Sequence, residues 1–124
     1  MKKKFQILVV EDQEDNSELA IEYLGGLGYE LELATNGLEA IEMVKKNKDI
    51  CLVLMDIKMP VMKGDDSLIE IRKLYADLPV IAVTAYALAG DREIYLEKGF
   101  NDYISKPMDL SILKAIVEKY ENAN

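Results

Sequence analysis

Histidine is absent from this 124-residue sequence. That absence removes Ser-His-Asp triads, Cys-His dyads and HExxH zinc sites, and no phosphohistidine step can be carried on the chain itself. Its chemistry has to use carboxylates, lysine, hydroxyls or a hard metal ion. Cysteine occurs once, as Cys51, so no intrachain disulfide can form; its place inside an apolar run predicts a small core residue. Long hydrophobic runs are missing as well. The longest fall far short of the roughly 20 residues that cross a bilayer, so no membrane span is expected. Residues 1–4, Met followed by three Lys, resemble a secretory n-region, but Glu11 and Asp12 cut off the apolar stretch and no small-residue cleavage site follows. A cytoplasmic protein is expected. Positive charge is in deficit: 15 Lys and Arg face 23 Asp and Glu, a net charge of −8. Binding a phosphate backbone needs a basic surface, so nucleic acid is not an expected partner.

What is present is globular. Half the residues are apolar and 31% are charged, in a length that suits one domain with one core. Strand-like runs alternate with helical periodicity. FQILVV (5–10) predicts a strand, and Ala20, Tyr23, Leu24 and Leu27 recur at helical spacing. YELELA (29–34) alternates, with Tyr29, Leu31 and Leu33 on one face. Asn36 can cap a helix bearing Ala40, Ile41 and Val44. CLVLM (51–55) is followed by a turn, MPVMKG, and by a helix with Leu68, Ile71 and Tyr75. PVIAVT (79–84) predicts a fourth strand, 89–98 a helix with a poor apolar stripe, and NDYIS (101–105) a short polar strand. Leu113, Ile116, Val117 and Tyr120 stripe the last helix. The run Gly25, Gly26, Leu27, Gly28 follows a helix rather than a strand and so predicts a helix stop, not a phosphate loop. Asp65 and Asp66 suit a helix start, where the dipole favours acids.

Five βα units in one domain predict an α/β fold, a parallel sheet with helices on both faces. The first, third and fourth strands are continuously apolar, as strands buried on both faces are. The second alternates and the fifth is polar, which puts them at the edges. Right-handed crossovers then favour the order 2-1-3-4-5, the flavodoxin-like winding.

In such sheets ligands bind beyond the carboxyl ends of the strands where the winding reverses, here between strands one and three. Strand one ends in Glu11 and Asp12, strand three in Asp56, strand four in Thr84, and strand five leads to Lys106. Three carboxylates brought together raise one another's pKa unless a cation joins them. Mg²⁺ fits: it is a hard ion held by one or two carboxylates, with water and phosphate oxygens completing its octahedron. Lys106 offers a point charge to a phosphoryl oxygen and Thr84 a short hydroxyl donor. One carboxylate can act as nucleophile and form an acyl phosphate. Asp56, on the central strand, is the best placed. Positioning and charge neutralisation are most of what phosphoryl transfer asks of a protein.

VVEDQ (9–13), MDIKMPVMKG (55–64), VTAYA (83–87) and DYISKP (102–107) stand in order at four strand ends. With them the chain resembles, over nearly its whole length, the receiver domain of two-component response regulators. The resemblance implies that Asp56 accepts a phosphoryl group from the phosphohistidine of a histidine kinase or phosphotransfer domain. It implies that Glu11, Asp12 and Asp56 hold Mg²⁺ together with the backbone carbonyl of Lys58, and that Thr84 and Lys106 contact the phosphoryl oxygens. It also implies that Thr84 and Tyr103 move together as a switch that reshapes the face of the fourth helix, fifth strand and fifth helix, and that the Lys106–Pro107 peptide is cis. Lys58 and Tyr86 occupy positions that tune phosphoryl lifetime in the family; a long basic chain and a bulky ring there predict slow autodephosphorylation. Lys63 stands where the family often has an acid.

Three other readings fit less well. A docking domain without chemistry leaves the acids, Thr84 and Lys106 unexplained. A haloacid-dehalogenase hydrolase needs an acid two residues after the nucleophile, where Lys58 stands. A flavodoxin needs a phosphate loop where Glu11 and Asp12 would repel phosphate. The expectation is a single receiver domain, 1–124, without an output domain, either free-standing or belonging to a hybrid kinase. The loop sequences lean toward the hybrid kinases.

Overall fold

A computed structural model describes residues 5–58, 61–85 and 90–123, with the side chains of 14–16 excepted. Among them strands and helices alternate: β1 (Gln6–Val10), α1 (Glu14–Gly26), β2 (Glu30–Ala34), α2 (Gly37–Lys46), β3 (Ile50–Asp56), α3 (Gly64–Leu74), β4 (Val80–Thr84), α4 (Asp91–Lys98), β5 (Asp102–Ser105) and α5 (Leu110–Ala123). The strands form one sheet in the order β2-β1-β3-β4-β5, and every pairing is parallel. This is the winding that the apolar and polar runs predict. No helix among the described residues is long and apolar enough to cross a membrane.

Alternate side chains of the central strands feed two cores. Leu8, Val10, Val53, Met55, Val80 and Ala82 face α2 and α3, meeting Ala40, Ile41, Val44, Leu68 and Ile71. Ile7, Val9, Leu52, Leu54, Ile81 and Val83 face α1 and α5, meeting Ala20, Leu24, Leu113 and Val117. Burial on both faces holds the carboxyl ends of β1, β3 and β4 rigidly, which is what a site built there requires.

Local chemistry sets the boundaries. The Asn36 side chain accepts a bond from the Glu39 amide at 2.8 Å and opens α2, as its residue type predicts. Gly28, at φ 99°, follows α1 in the left-handed region open to glycine. Tyr75 ends α3 and still packs with its stripe: its amide bonds to the Ile71 carbonyl, its backbone is extended, and it lies against the core that holds Leu68 and Ile71. Cys51 departs from expectation. Pairing between β1 and β3 steps from Gln6–Ile50 to Ile7–Leu52, so Cys51 is the extra residue of a bulge. It is half-buried rather than a core residue, and its thiol donates to the Asp49 carbonyl at 3.2 Å.

None of the residues of α4 is buried. Its attachments are few: Tyr95 meets Phe100 edge-on at 5.8 Å and stacks on Tyr103 of β5 at 5.6 Å, and Lys98 pairs with Asp65 of α3 at 2.7 Å. The edge strand β5 is less polar in its surroundings than in its sequence. Asp102 is buried, with Arg92 of α4 at 3.4 Å and Lys119 of α5 at 3.6 Å on its two oxygens. Arg72 of α3 donates to the Gly99 carbonyl at 3.0 Å and to the Asn101 side chain at 2.6 Å, bracketing the turn that leads from α4 into β5.

Candidate functional site

The site lies where β1, β3, β4 and β5 end. Glu11 follows β1 and is buried, with its amide bonded to the Ala34 carbonyl of β2 at 2.9 Å. Asp56 is the last residue of the central strand β3 and is 5% exposed; Thr84 closes β4 and is 2% exposed. Lys106 follows β5, with its amide bonded to the Thr84 carbonyl at 2.8 Å. A cleft of about 220 Å³ is lined by Glu11, Asp12, Gln13, Asp56, Lys58, Thr84, Ala85 and Lys106.

The Lys106 ammonium spans the acids. Its Nζ lies 3.0 and 3.1 Å from the two Glu11 oxygens and 3.1 Å from Asp56 Oδ2. The other Asp56 oxygen, Oδ1, accepts a bond from the Lys58 amide at 3.2 Å. The electrostatics follow from this crowding. Burial, then the hydrogen bond and negative charge of Glu11, push the Asp56 carboxyl up to about 7, against the pull of Lys106. Burial would lower the Lys106 ammonium, but Glu11 and Asp56 outweigh it and leave the group above its usual value. A carboxylate so placed is poised to take a cation in place of a proton.

Glu11, Asp12 and Asp56 each present an oxygen within 4.8 Å of the others. Oxygens held at about 2.1 Å by one ion lie at most about 4.2 Å apart, so small side-chain rotations bring these three onto a common ion, and the donor set is all oxygen, as a hard divalent cation prefers. The residues present therefore fit such an ion.

All five strand-end residues named from the sequence line one cleft. Tyr103 does not line it; it sits on the edge strand against Tyr95. The Lys106–Pro107 peptide is cis. Lys58 contributes its amide to Asp56 while its side chain is exposed. Tyr86 lies outside the described residues, as do Met59 and Pro60. Two features of the site are missed by sequence reasoning. One is the Lys58 amide, although an Asp that accepts from the amide two residues on is a common turn device. The other is Gly64, whose backbone packs directly on the Asp56 carbonyl: a Cβ there would lie 2.6 Å from that oxygen. MPVMKG signals a turn but not which backbone it must approach.

Comparison with known proteins agrees with this arrangement. The model of the family described as response regulator receiver domain matches residues 7–118. The sensor histidine kinase RcsC of Salmonella typhimurium is 41% identical over 114 residues, 92% of this chain, although the chain spans only 12% of that kinase's length. Two solved structures are similar over 90% or more of both chains. The receiver domain of the sensor histidine kinase PA1611 from Pseudomonas aeruginosa, determined with a magnesium ion coordinated in its active-site cleft, is 35% identical with a TM-score of 0.85, covering 95% of this chain and 98% of that one. The receiver domain of Ssk1 from Saccharomyces cerevisiae, co-crystallised with the histidine phosphotransfer protein Ypd1, is 26% identical with a TM-score of 0.87, covering 97% and 90%. With its 2-1-3-4-5 sheet, its strand-end acids and lysine, and this family match over most of its length, the chain belongs to the response regulator receiver domains.

Proposed function

We propose that Asp56 is the phosphoacceptor and that Glu11, Asp12, Asp56 and the Lys58 backbone carbonyl hold Mg²⁺. The observation that carries this reading is the convergence of three carboxylates within 4.8 Å of one another, with the Lys106 ammonium at 3.1 Å from Asp56. An Asp56 oxygen attacks the phosphorus of a phosphohistidine; the new P–O bond forms as the P–N bond breaks, and the imidazole leaves and takes up a proton. Lys106, released from Asp56, follows the negative charge onto a phosphoryl oxygen, and Thr84 Oγ donates to another. The Lys58 amide holds the acceptor's orientation. Bound Mg²⁺ supplies charge neutralisation for the transferring group.

The donor is a histidine kinase or a phosphotransfer protein. Support comes from the chain's own lack of histidine and from the receiver domains of PA1611 and Ssk1, the second of which was crystallised with a phosphotransfer protein. A phosphohistidine is made from ATP, so the reading places the domain in the cytoplasm. The output is a change on the face of α4, β5 and α5, passed from Thr84 through Tyr103 to a downstream protein or domain, with no direct contact to nucleic acid. The stacking of Tyr103 on Tyr95 supports this route, because it couples β5 to the helix with no buried anchors. Lys58 and Tyr86 slow loss of the phosphoryl group.

Intact mass after incubation with a small-molecule phosphodonor and Mg²⁺ tests the reading. One phosphoryl group is expected on the native chain and none on Asp56→Ala or without metal. An adduct that survives Asp56→Ala would overturn the assignment.

A further inference from the structure

We propose that Gly37, the first residue of α2, is a positioning residue for the acceptor site and acts through Met62 on the loop that follows Asp56; this rests on the phosphoacceptor reading above. A Cβ at Gly37 would lie 3.0 Å from Met62 Cγ, from the Met62 carbonyl oxygen and from Ser67 Cβ. Because backbone is among those contacts, the neighbour cannot simply turn a side chain away. Ser67 Oγ donates to the Gly37 carbonyl at 3.1 Å inside the protein, so the start of α2 and the first turn of α3 are joined.

The far end of the loop is held as tightly. The Gly64 amide bonds to the Ile57 carbonyl at 3.1 Å, and its Cα side rests on the Asp56 carbonyl. Between the two glycines Val61 has φ 72° and is 74% exposed. A β-branched residue avoids the left-handed region, and such a conformation persists only where the surroundings dictate it. The clamp at Met62 is one of those surroundings. Lys58 belongs to the same loop, with its amide on Asp56 and its carbonyl assigned to the metal. A shift of Met62 by a few tenths of an ångström therefore reaches Asp56 and Ile57 through Gly64, whose amide holds the Ile57 carbonyl, from a helix that contributes no atom to the site. Gly25 and Gly26 in α1 make the contrast, since a Cβ on either meets nothing within 4 Å.

Calorimetric titration with Mg²⁺, alongside phosphorylation rates at several Mg²⁺ concentrations, tests the proposal on the native chain, Gly37→Ala and Gly25→Ala. Gly37→Ala is expected to weaken Mg²⁺ binding roughly tenfold, as disturbance of the shell behind a metal ligand does, while its rate at saturating Mg²⁺ stays within about twofold of native. Gly25→Ala should bind as the native chain does. Native affinity in a folded Gly37→Ala, or an equal loss in Gly25→Ala, would overturn it. Should circular dichroism show Gly37→Ala unfolded, Ser67→Ala takes its place: weaker Mg²⁺ binding supports the clamp and unchanged binding refutes it. A native chain that neither binds Mg²⁺ nor accepts a phosphoryl group overturns the underlying reading, and this inference with it.

Discussion

Asp56 is held at a cost to the folded chain. Its carboxyl titrates near 7 in the fold against 3.8 when unperturbed, chiefly through burial and then through Glu11. Between those values the folded chain keeps a proton that the unfolded chain has released, so stability declines as pH rises through the window. The penalty is absent below about pH 4 and complete above about pH 7. In metal-free buffer at pH 7.5, Asp56→Asn should therefore be more stable than the native chain by about 1–3 kcal/mol, as relief of a buried like-charge contact is. The gap should close as pH falls to 4. Urea melts of both proteins across that range check the sign, and a gap independent of pH would exclude Asp56 as its source. The residue types at the site were legible in the sequence because acids at the ends of apolar strands have little structural reason to be there. The contacts that aim them were not. Those contacts come from the Lys58 amide and the Gly64 backbone, and backbone partners leave no residue signature.

At the scale of elements, α4 stands apart. Its residues are all at least partly exposed, and its ties are few and spread along it: Arg92 to Asp102, Tyr95 to Phe100 and Tyr103, and Lys98 to Asp65. Segments with few buried contacts open at low cost. Amides of α4 are expected to exchange with solvent at least about 100-fold faster than those of β3 and β4. Hydrogen exchange followed by mass spectrometry would show it, and equal protection would remove α4 as the movable element. The poor apolar stripe already betrayed this helix in the sequence, and continuous apolar runs betrayed the inner strands. Asp102 was harder. It reads as a polar residue of an edge strand, yet it is buried between Arg92 and Lys119, which are ten and seventeen positions away on two other helices. The Cys51 bulge was hidden too, because an extra residue in a strand changes its register without changing its composition.

For the whole molecule, a ligand that binds only the folded state stabilises it by mass action. Glu11, Asp12 and Asp56 come from sequence positions 45 apart and converge only in the fold. Added Mg²⁺ should raise the melting temperature progressively with concentration, reaching about 2.7 kcal/mol at 100 times the dissociation constant. Asp12→Asn should blunt the rise. Scanning calorimetry over a Mg²⁺ series measures it; an equal rise in Asp12→Asn would move the ion elsewhere. The sheet order was legible because burial on one face or two writes itself into apolar patterning, and the site followed from that order.

The Lys106 bridge has a further consequence. With three carboxylates ionised and the Lys106 ammonium among them, this cluster carries a formal charge of −2, which a single divalent cation cancels. Converting the Asp56 carboxylate to an acyl phosphate dianion then adds only one negative charge. Beyond a Debye length of about 8 Å, little of so small a change survives in physiological salt. A downstream protein docking across the domain can hardly read the event as a field. It has to read it as a shape, with neutralisation at the site keeping the message out of the electrostatics and in the packing.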